Sequence, residues 1–498
     1  MKNTGKTIAK NAGVLMASQL TTWILTLLLT MFLPRFLGAK AVGQFHFANS
    51  LWAIAAIAVT FGMDRLMTKE IARTPDKAAD LFGTTIFARA LLYLVGFSGI
   101  ALYLTLLDYP AETVQVVFII GIAQLLWQFV SAATAVLQGL EQMQYISIAN
   151  IAGKIFNTVV AISLLLLGYG VLVIAAVTIG TALVSLLVML WYLRRVIPLR
   201  LHIRPRAVIH MLRAGSPYLL TQLSLVIYMQ VDIVIISLLV NEETIGWYGV
   251  ADQLFGTFLF IPTVFMTAVF PALSRMYTTD THSLSRLMSK SFNLLLTLSV
   301  PIGLGLIVVA DQLVVLLFGP EFVNSGPVLA MFGLVLILTY QNMLLGQFLV
   351  STDRQNKWTV VMIVAAIVTI PLDLLLIPWC VQTFANGAVG GAAAFVITEA
   401  GMMIAGLSLL PKGSLTRANA SMAARILLAG LTMFAAASLV RESFIAVPIL
   451  VGAIVYGLLA RLLRAVADED VTLLLEIAQR LRSRIRHKSK PAETVGTS

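Results

Sequence analysis

Apolar stretches of about twenty residues follow one another along nearly the whole chain, broken by short polar connections. A helix rising 1.5 Å per residue needs about twenty residues to cross a hydrocarbon core about 30 Å thick. The pattern predicts fourteen such spans, at 11–34, 42–63, 82–106, 114–138, 146–167, 170–193, 214–240, 246–272, 288–310, 326–350, 358–380, 386–410, 420–440 and 444–463. The first run is too long for the core of a cleavable signal and is followed by further spans, so it is expected to stay as a membrane helix. Lipid offers backbone groups no hydrogen-bond partner, so the expected fold class is an all-α membrane protein.

The chain also repeats itself at an offset of 203 positions. Val42-Gly43-Gln44-Phe45 lies under Ile245-Gly246-Trp247-Tyr248, Ala48-Asn49 under Ala251-Asp252, Leu51-Trp52 under Leu254-Phe255, and Gln19-Leu20 under Gln222-Leu223. Matches between leucines mean little in apolar helices; a shared Gly-x-aromatic after a short loop, followed by Ala-Asn/Asp, means more. Duplicated halves are a common build for secondary transporters. The expected organisation is an N-terminal lobe over 1–193, a basic linker with Pro198 and Pro205 over 194–213, a C-terminal lobe over 214–410, two appended spans over 411–464 and a tail over 465–498. Each lobe is expected to be a six-helix bundle.

Charge sets the orientation. Of 34 lysines and arginines, 29 lie in the termini and even-numbered loops, and three (Arg35, Lys40, Arg441) in odd-numbered loops. The remaining two, Arg89 and Lys154, fall inside spans. By the positive-inside rule both termini are expected in the cytoplasm. The net charge of +11 thus serves topology, and nucleic acid is not an expected partner. The tail spaces Leu474, Ile477, Leu481 and Ile485 at helical intervals beside Arg480, Arg482, Arg484 and Arg486, as a basic amphipathic helix lying on an anionic leaflet would. Pro491 to Ser498 is expected to be disordered.

Composition narrows the function. With 59% hydrophobic and 11% charged residues and a mean hydropathy of +0.93, there is little room for a soluble domain. One cysteine, Cys380, excludes an internal disulfide and a cysteine metal cluster. His46, His202, His210, His282 and His487 lack metal-ligand spacing. Gly5-Lys6-Thr7 resembles the end of a P-loop, but no glycine precedes it at the needed spacing, and no nucleophile elbow is visible. An enzyme, a cofactor and a metal site are therefore not expected.

Polar residues inside spans carry the candidate chemistry, because they must face protein or water. Asn150, Lys154 and Asn157 share one face of span five, and Gln124, Gln128 and Ser131 one face of span four. Arg89 and Lys154 lie about seven and eight residues into their spans. They either snorkel to the interface or form a cationic cavity suited to an anionic diphosphate. The second lobe has the opposite sign: Asp232, Asp252, Asp373 and Glu399 lie within or near the ends of spans seven, eight, eleven and twelve. A carboxylate there can carry a proton or bind Na⁺, or serve as a structural partner; Asp252 and Asp373 are read as lying near span ends. Pro34, Pro75 and Pro110 are expected at helix ends or in loops, whereas Pro217, Pro262, Pro301 and Pro371 fall inside predicted helices. Pro271 is expected to stop span eight. Gly387 and Gly391 match a small-xxx-small pattern for helix contact.

Several stretches together resemble the polysaccharide-type, Wzx-like lipid flippases of the multidrug/oligosaccharidyl-lipid/polysaccharide exporter superfamily. They are Phe36-Leu37-Gly38 through Gly43 and Phe45; Phe61-Gly62-Met63 with Lys69-Glu70-Ile71-Ala72-Arg73; Asp232 with Ile245-Gly246-Trp247-Tyr248; Pro271-Ala272-Leu273-Ser274-Arg275; Phe318-Gly319-Pro320-Glu321-Phe322; and Gly387 to Ala393. The resemblance implies a fourteen-helix, two-lobed alternating-access exporter of the inner membrane. Its implied cargo is an undecaprenyl-diphosphate-linked oligosaccharide, with membrane lipids, H⁺ or Na⁺ and other polysaccharide assembly proteins as further partners. A cationic lumen is implied too, which suits Arg89 and Lys154. Relatives that flip the peptidoglycan precursor carry arginines within the first two spans, whereas Arg35 and Arg65 sit at span ends here. The alternatives are a drug/cation antiporter of the same superfamily and a membrane scaffold for polysaccharide synthases.

Overall fold

The structure, a computed structural model, describes residues 2–198 and 205–465. The described residues form fifteen α-helices with no strand among them. They are α1 (Lys2–Thr60), α2 (Met63–Arg73), α3 (Ala78–Leu106), α4 (Ala111–Gly139), α5 (Met143–Leu166), α6 (Val171–Val196), α7 (Pro205–Leu239), α8 (Glu242–Phe258), α9 (Phe260–Thr279), α10 (Thr281–Phe318), α11 (Ser325–Ser351), α12 (Gln355–Phe384), α13 (Gly387–Leu409), α14 (Arg417–Ser438) and α15 (Ala446–Leu462). Among them, eleven helical segments are long and apolar enough to cross a membrane, and α15 is a shorter apolar helix. The all-helical membrane architecture is therefore as expected. The expected amphipathic tail lies outside the described residues, as do residues 199–204 of the linker.

Several helix boundaries differ from the sequence reading: α7 begins at Pro205, within the expected linker, and three further differences have a local reason. Spans one and two run as the single element α1, bent at Gly38, whose φ of +80° only glycine adopts cheaply. Pro34 lies inside this helix, not at its end. Span eight breaks at Leu259 into α8 and α9. That places Pro262 in the first turn of α9, where a missing N–H costs nothing. Pro271 then passes inside α9, which ends only at Thr279; Asp280 starts α10 by accepting from the Ser283 hydroxyl and the amides of Ser283 and His282. Those bonds hold the Asp280 carboxyl below its ordinary range, the Ser283 hydroxyl first. Pro301, Pro371 and Pro378 do sit within helices α10 and α12.

The helices pack as two groups. In the first, α4 lies between α1 and α6 and α5 between α1 and α6; in the second, α11 packs on α10 and α13, and α12 on α13. α14 and α15 rest on α10, tied by Asn419 to Ser289 and Asn293 and by the Tyr456 hydroxyl to the Thr297 carbonyl. α7 belongs to both groups, contacting α1, α2 and α3 as well as α12 and α13. Gly387 and Gly391 fit the contact role: a Cβ on the first would meet Val240 and Ile377, on the second Ile236 and Tyr248.

The duplicated stretches meet one another. α1 crosses α8 where Gly43 faces Gly246, the pair related by the 203-residue offset. A Cβ on Gly43 would lie 1.7 Å from the Glu242 carbonyl oxygen, and one on Gly246 would lie 2.0 Å from that of Ala39. The two backbones therefore touch without side chains between them. Around them Ala39, Val42, Ile245 and Val250 are buried in a core that runs continuously across both groups. A second core, at the end holding α2, is confined to the first group and the start of α7.

Gly43→Val and Gly246→Val should each force α1 and α8 apart and lower thermal stability, at an overpacking cost of about 1–3 kcal/mol. Gly256→Ala, where a Cβ meets nothing within 4 Å, should leave stability unchanged or raise it. Thermal unfolding of the detergent-solubilised protein checks this; equal melting temperatures for all three would contradict the contact.

Candidate functional site

Arg89 is fully buried on α3, and its charge is spent inside the bundle. One guanidinium nitrogen donates to the Gln128 carbonyl at 2.7 Å, and the other pairs with the Asp64 carboxylate at the start of α2. Asp64 also accepts from the Ser131 hydroxyl at 2.6 Å, while the Gln128 side chain accepts from Thr60 at 3.0 Å. α1, α2, α3 and α4 are thus tied at one point. The sequence reading left Arg89 either snorkelling to the interface or lining a cationic cavity; its guanidinium lies in an ion pair with the partly exposed Asp64. It also put Gln128 and Ser131 on a polar stripe with Gln124; both bond within the bundle, and Gln124 is half-buried. Asp64 was missed, although it follows directly on Phe61-Gly62-Met63, where Phe61 and Gly62 both take positive φ (49° and 68°) and turn the chain into α2.

The α5 stripe has the opposite character. Ile148, Ile155, Val159 and Leu166 are exposed apolar residues on one face of α5. At about 100° per residue, Asn150, Lys154 and Asn157 lie about 150° around the helix from them. The stripe therefore points away from the lipid-facing side, yet Asn150 is exposed and Lys154 and Asn157 are half-buried. Its flanks are packed: Gly153 touches Ser185 of α6, and Thr158 donates to the Leu25 carbonyl of α1 at 3.4 Å. Among the described residues no carboxylate pairs with Lys154. Lys154 is thus a half-buried side chain on the side of α5 turned away from its exposed apolar residues.

The acids of the second group sit on neighbouring helices. Asp373 is fully buried on α12, not near a span end as the sequence reading had it. It lies one turn before Ile377, which packs on α13 at Gly387 and Gly390. Asp232 lies one turn before Ile236 on α7, and α7 and α12 are packed together. Glu399, 2% exposed on α13, receives two bonds from the Asn342 amide of α11, at 2.6 Å to its carboxylate and 2.9 Å to its carbonyl. Asp252 is half-buried on α8, beside Gln253, which donates to Thr30 of α1 at 2.8 Å. Asp373 and Glu399 are thus buried on the packed helices α12 and α13, while Asp232 belongs to α7 and Asp252 to α8. No group of three or more metal-ligating side chains occurs among the described residues.

At the bend in α1 the two groups are latched. The Ala39 amide, freed by the bend at Gly38, donates at 2.8 Å to Glu321 in the loop after α10. Thr113 of α4 donates to Glu242 of α8, and the Tyr109 hydroxyl meets Ser237 of α7 at 2.9 Å. Lys40 and Gln44 both bond Glu112 at 3.1 Å. In the repeat-related position, 203 residues on from Gly38, Asn241 caps its own helix by accepting from the Thr244 amide at 3.0 Å. One repeat thus starts its helix with its own side chain; the other receives that cap from across the interface.

A family model described as polysaccharide biosynthesis protein matches residues 8–277. The chain belongs to that family. Among solved structures it is similar to the "Lipid II flippase MurJ, inward closed conformation", at 15% identity and a TM-score of 0.71, over 90% of this chain and 98% of that one. It is also similar to an "inward-facing conformation of a multidrug resistance MATE family transporter of the MOP superfamily" (16% identity, TM-score 0.64, 85% and 96% covered). A third is the eukaryotic MATE transporter AtDTX14 (14% identity, TM-score 0.57, 85% and 98% covered). A search of curated proteins gave no match. This family member is a multi-pass membrane protein with the fold of flippases and exporters, as the resemblance implied.

Asp64→Asn should destabilise the protein by about 3–5 kcal/mol, because it strands a buried guanidinium. The pair Asp64→Asn with Arg89→Gln should recover part of that loss. Thermal unfolding of the three variants tests the ion pair; an unaffected Asp64→Asn protein would refute it.

Proposed function

We propose that the protein moves a polyprenyl-diphosphate-linked oligosaccharide from the cytoplasmic to the outer leaflet of the inner membrane by alternating access. The observation that carries this reading is Lys154, a half-buried cation on the side of α5 turned away from its exposed apolar residues, with no carboxylate against it among the described residues. A doubly charged diphosphate gains most from a cation in such a place, since charge-assisted bonds strengthen as water is excluded. Asn150, Asn157 and Gln124 supply amide partners for sugar hydroxyls. Arg89 and Gln128 act beneath them: their ties to Asp64 and Thr60 hold α3 and α4 on α1, and so position the face rather than bind cargo. The likeness to a lipid II flippase and the membership of the polysaccharide biosynthesis family both favour a lipid-linked saccharide.

Fourteen crossings follow when the two halves of α1 count separately, α8 with α9 counts once and the short α2 is left out as a surface helix. The positive-inside rule then puts the end with α2 in the cytoplasm and the bend of α1 outside. In this state the outer end is closed by the Gly43–Gly246 crossing and the Glu321 and Glu242 bonds; opening it exchanges those contacts for others. Asp232, Asp252, Asp373 and Glu399 are the candidates for coupling to H⁺ or Na⁺, because a carboxylate within a membrane span favours either a proton or a cation. A drug/cation antiporter needs an available carboxylate in the first lobe, and there Asp64 is committed to Arg89.

Lys154→Gln should abolish export of the lipid-linked glycan while membrane abundance holds, and Lys154→Arg should retain much of it. Asp373→Asn should uncouple export from the ion gradient without changing abundance. Glycan export in cells, with the protein level measured alongside, decides; normal export by Lys154→Gln would remove the diphosphate site from α5.

A further inference from the structure

A cavity of about 390 Å³ opens at the α2 end of the molecule. Its walls come from three elements: Lys69 and Glu70 on α2, Lys77 at the turn into α3, and His210 on α7. Its floor includes Met67 and Met211, both buried in the core at that end. We propose that this cavity binds the phosphate headgroup of an anionic phospholipid of the bilayer.

Three observations carry the assignment. The first is charge. Lys69 and Lys77 converge on the cavity, and among the described residues neither forms an ion pair. The one acid on the wall, Glu70, is shared with Arg73 at 4.0 Å, so the opening keeps a net positive character. The second is position. α2 is a short helix with Met63, Leu66, Met67 and Ile71 buried and Arg65, Lys69 and Arg73 exposed. Such a helix lies along the membrane interface, at the depth of lipid phosphates. The third is the floor. Methionines at the base of the cavity favour glycerol and methylene groups, which a lipid brings and inorganic phosphate does not. The volume falls in the range of small-molecule sites.

The place in the fold gives the site a consequence. α7 is pinned beside the cavity, where a Cβ on Gly215 would lie 2.5 Å from the Phe61 carbonyl oxygen. A headgroup held by Lys69 and Lys77 on one side and His210 on the other bridges the first group of helices to the helix that leads into the second. Such an occupant favours the arrangement in which these elements touch, because a ligand shifts a population only through contacts that differ between states. The site rests on the membrane orientation given above but not on the cargo, and its test uses no transport readout.

The test is native mass spectrometry of the full chain released from detergent with phosphatidylglycerol or phosphatidylcholine, with and without inorganic phosphate. Phosphatidylglycerol should be retained in preference to phosphatidylcholine, and inorganic phosphate should not displace it. Lys69→Gln with Lys77→Gln, both on exposed side chains, should weaken retention about 30-fold, the equivalent of about 1 kcal/mol for each lysine. Equal retention of both lipids, retention unchanged in the double variant, or displacement by inorganic phosphate would each overturn the proposal.

Discussion

The rest of the structure depends on the direct backbone contact between α1 and α8. Hydrocarbon supplies no hydrophobic force between helices already in the membrane, so their association rests on close packing and hydrogen bonds. Gly43 and Gly246 allow the closest packing available, with the carbonyls of Glu242 and Ala39 where side chains would otherwise stand. Because the two glycines are related by the internal repeat, one duplicated feature forms both sides of the seam. The continuous apolar core grows outward from this crossing into both groups of helices. At the opposite end a second core belongs to the first group and the start of α7, and α7 runs on from there to pack against α12.

The two repeats have diverged most where the seam is made. Asn241 starts α8 with its own side chain, whereas Gly38 has none and the next amide, that of Ala39, is capped by Glu321 from the other group. A cap that comes from across an interface is present only while that interface is closed, so helix capping and closure become one event. Polarity has diverged as well. The first group carries Lys154 half-buried and Arg89 neutralised by Asp64, while the second buries carboxylates on α12 and α13. The two signs of charge thus lie in different halves of one molecule, linked through the packing around the crossing.

Much of this was legible in the sequence, for a physical reason. Apolar runs of membrane-spanning length, the exclusion of charge from them and the 203-residue repeat follow from the bilayer and from duplication, and both leave marks in linear order. They determined the all-helical membrane class, the pairing of Gly43 with Gly246 as equivalents and the shared helix face of Asn150, Lys154 and Asn157. The tertiary structure decided which polar side chains are spent on one another. Arg89 and Lys154 look alike in sequence, each a cation several residues into a span. Asp64 neutralises one of them, brought in by the Phe61–Gly62 turn, and no spacing rule anticipates that long-range meeting. The same holds for Asp373, which the running pattern put near a span end. Boundaries set by a bend at Gly38 or a break at Leu259 also depended on neighbouring backbones, which compete with local hydropathy for the last turn of a helix.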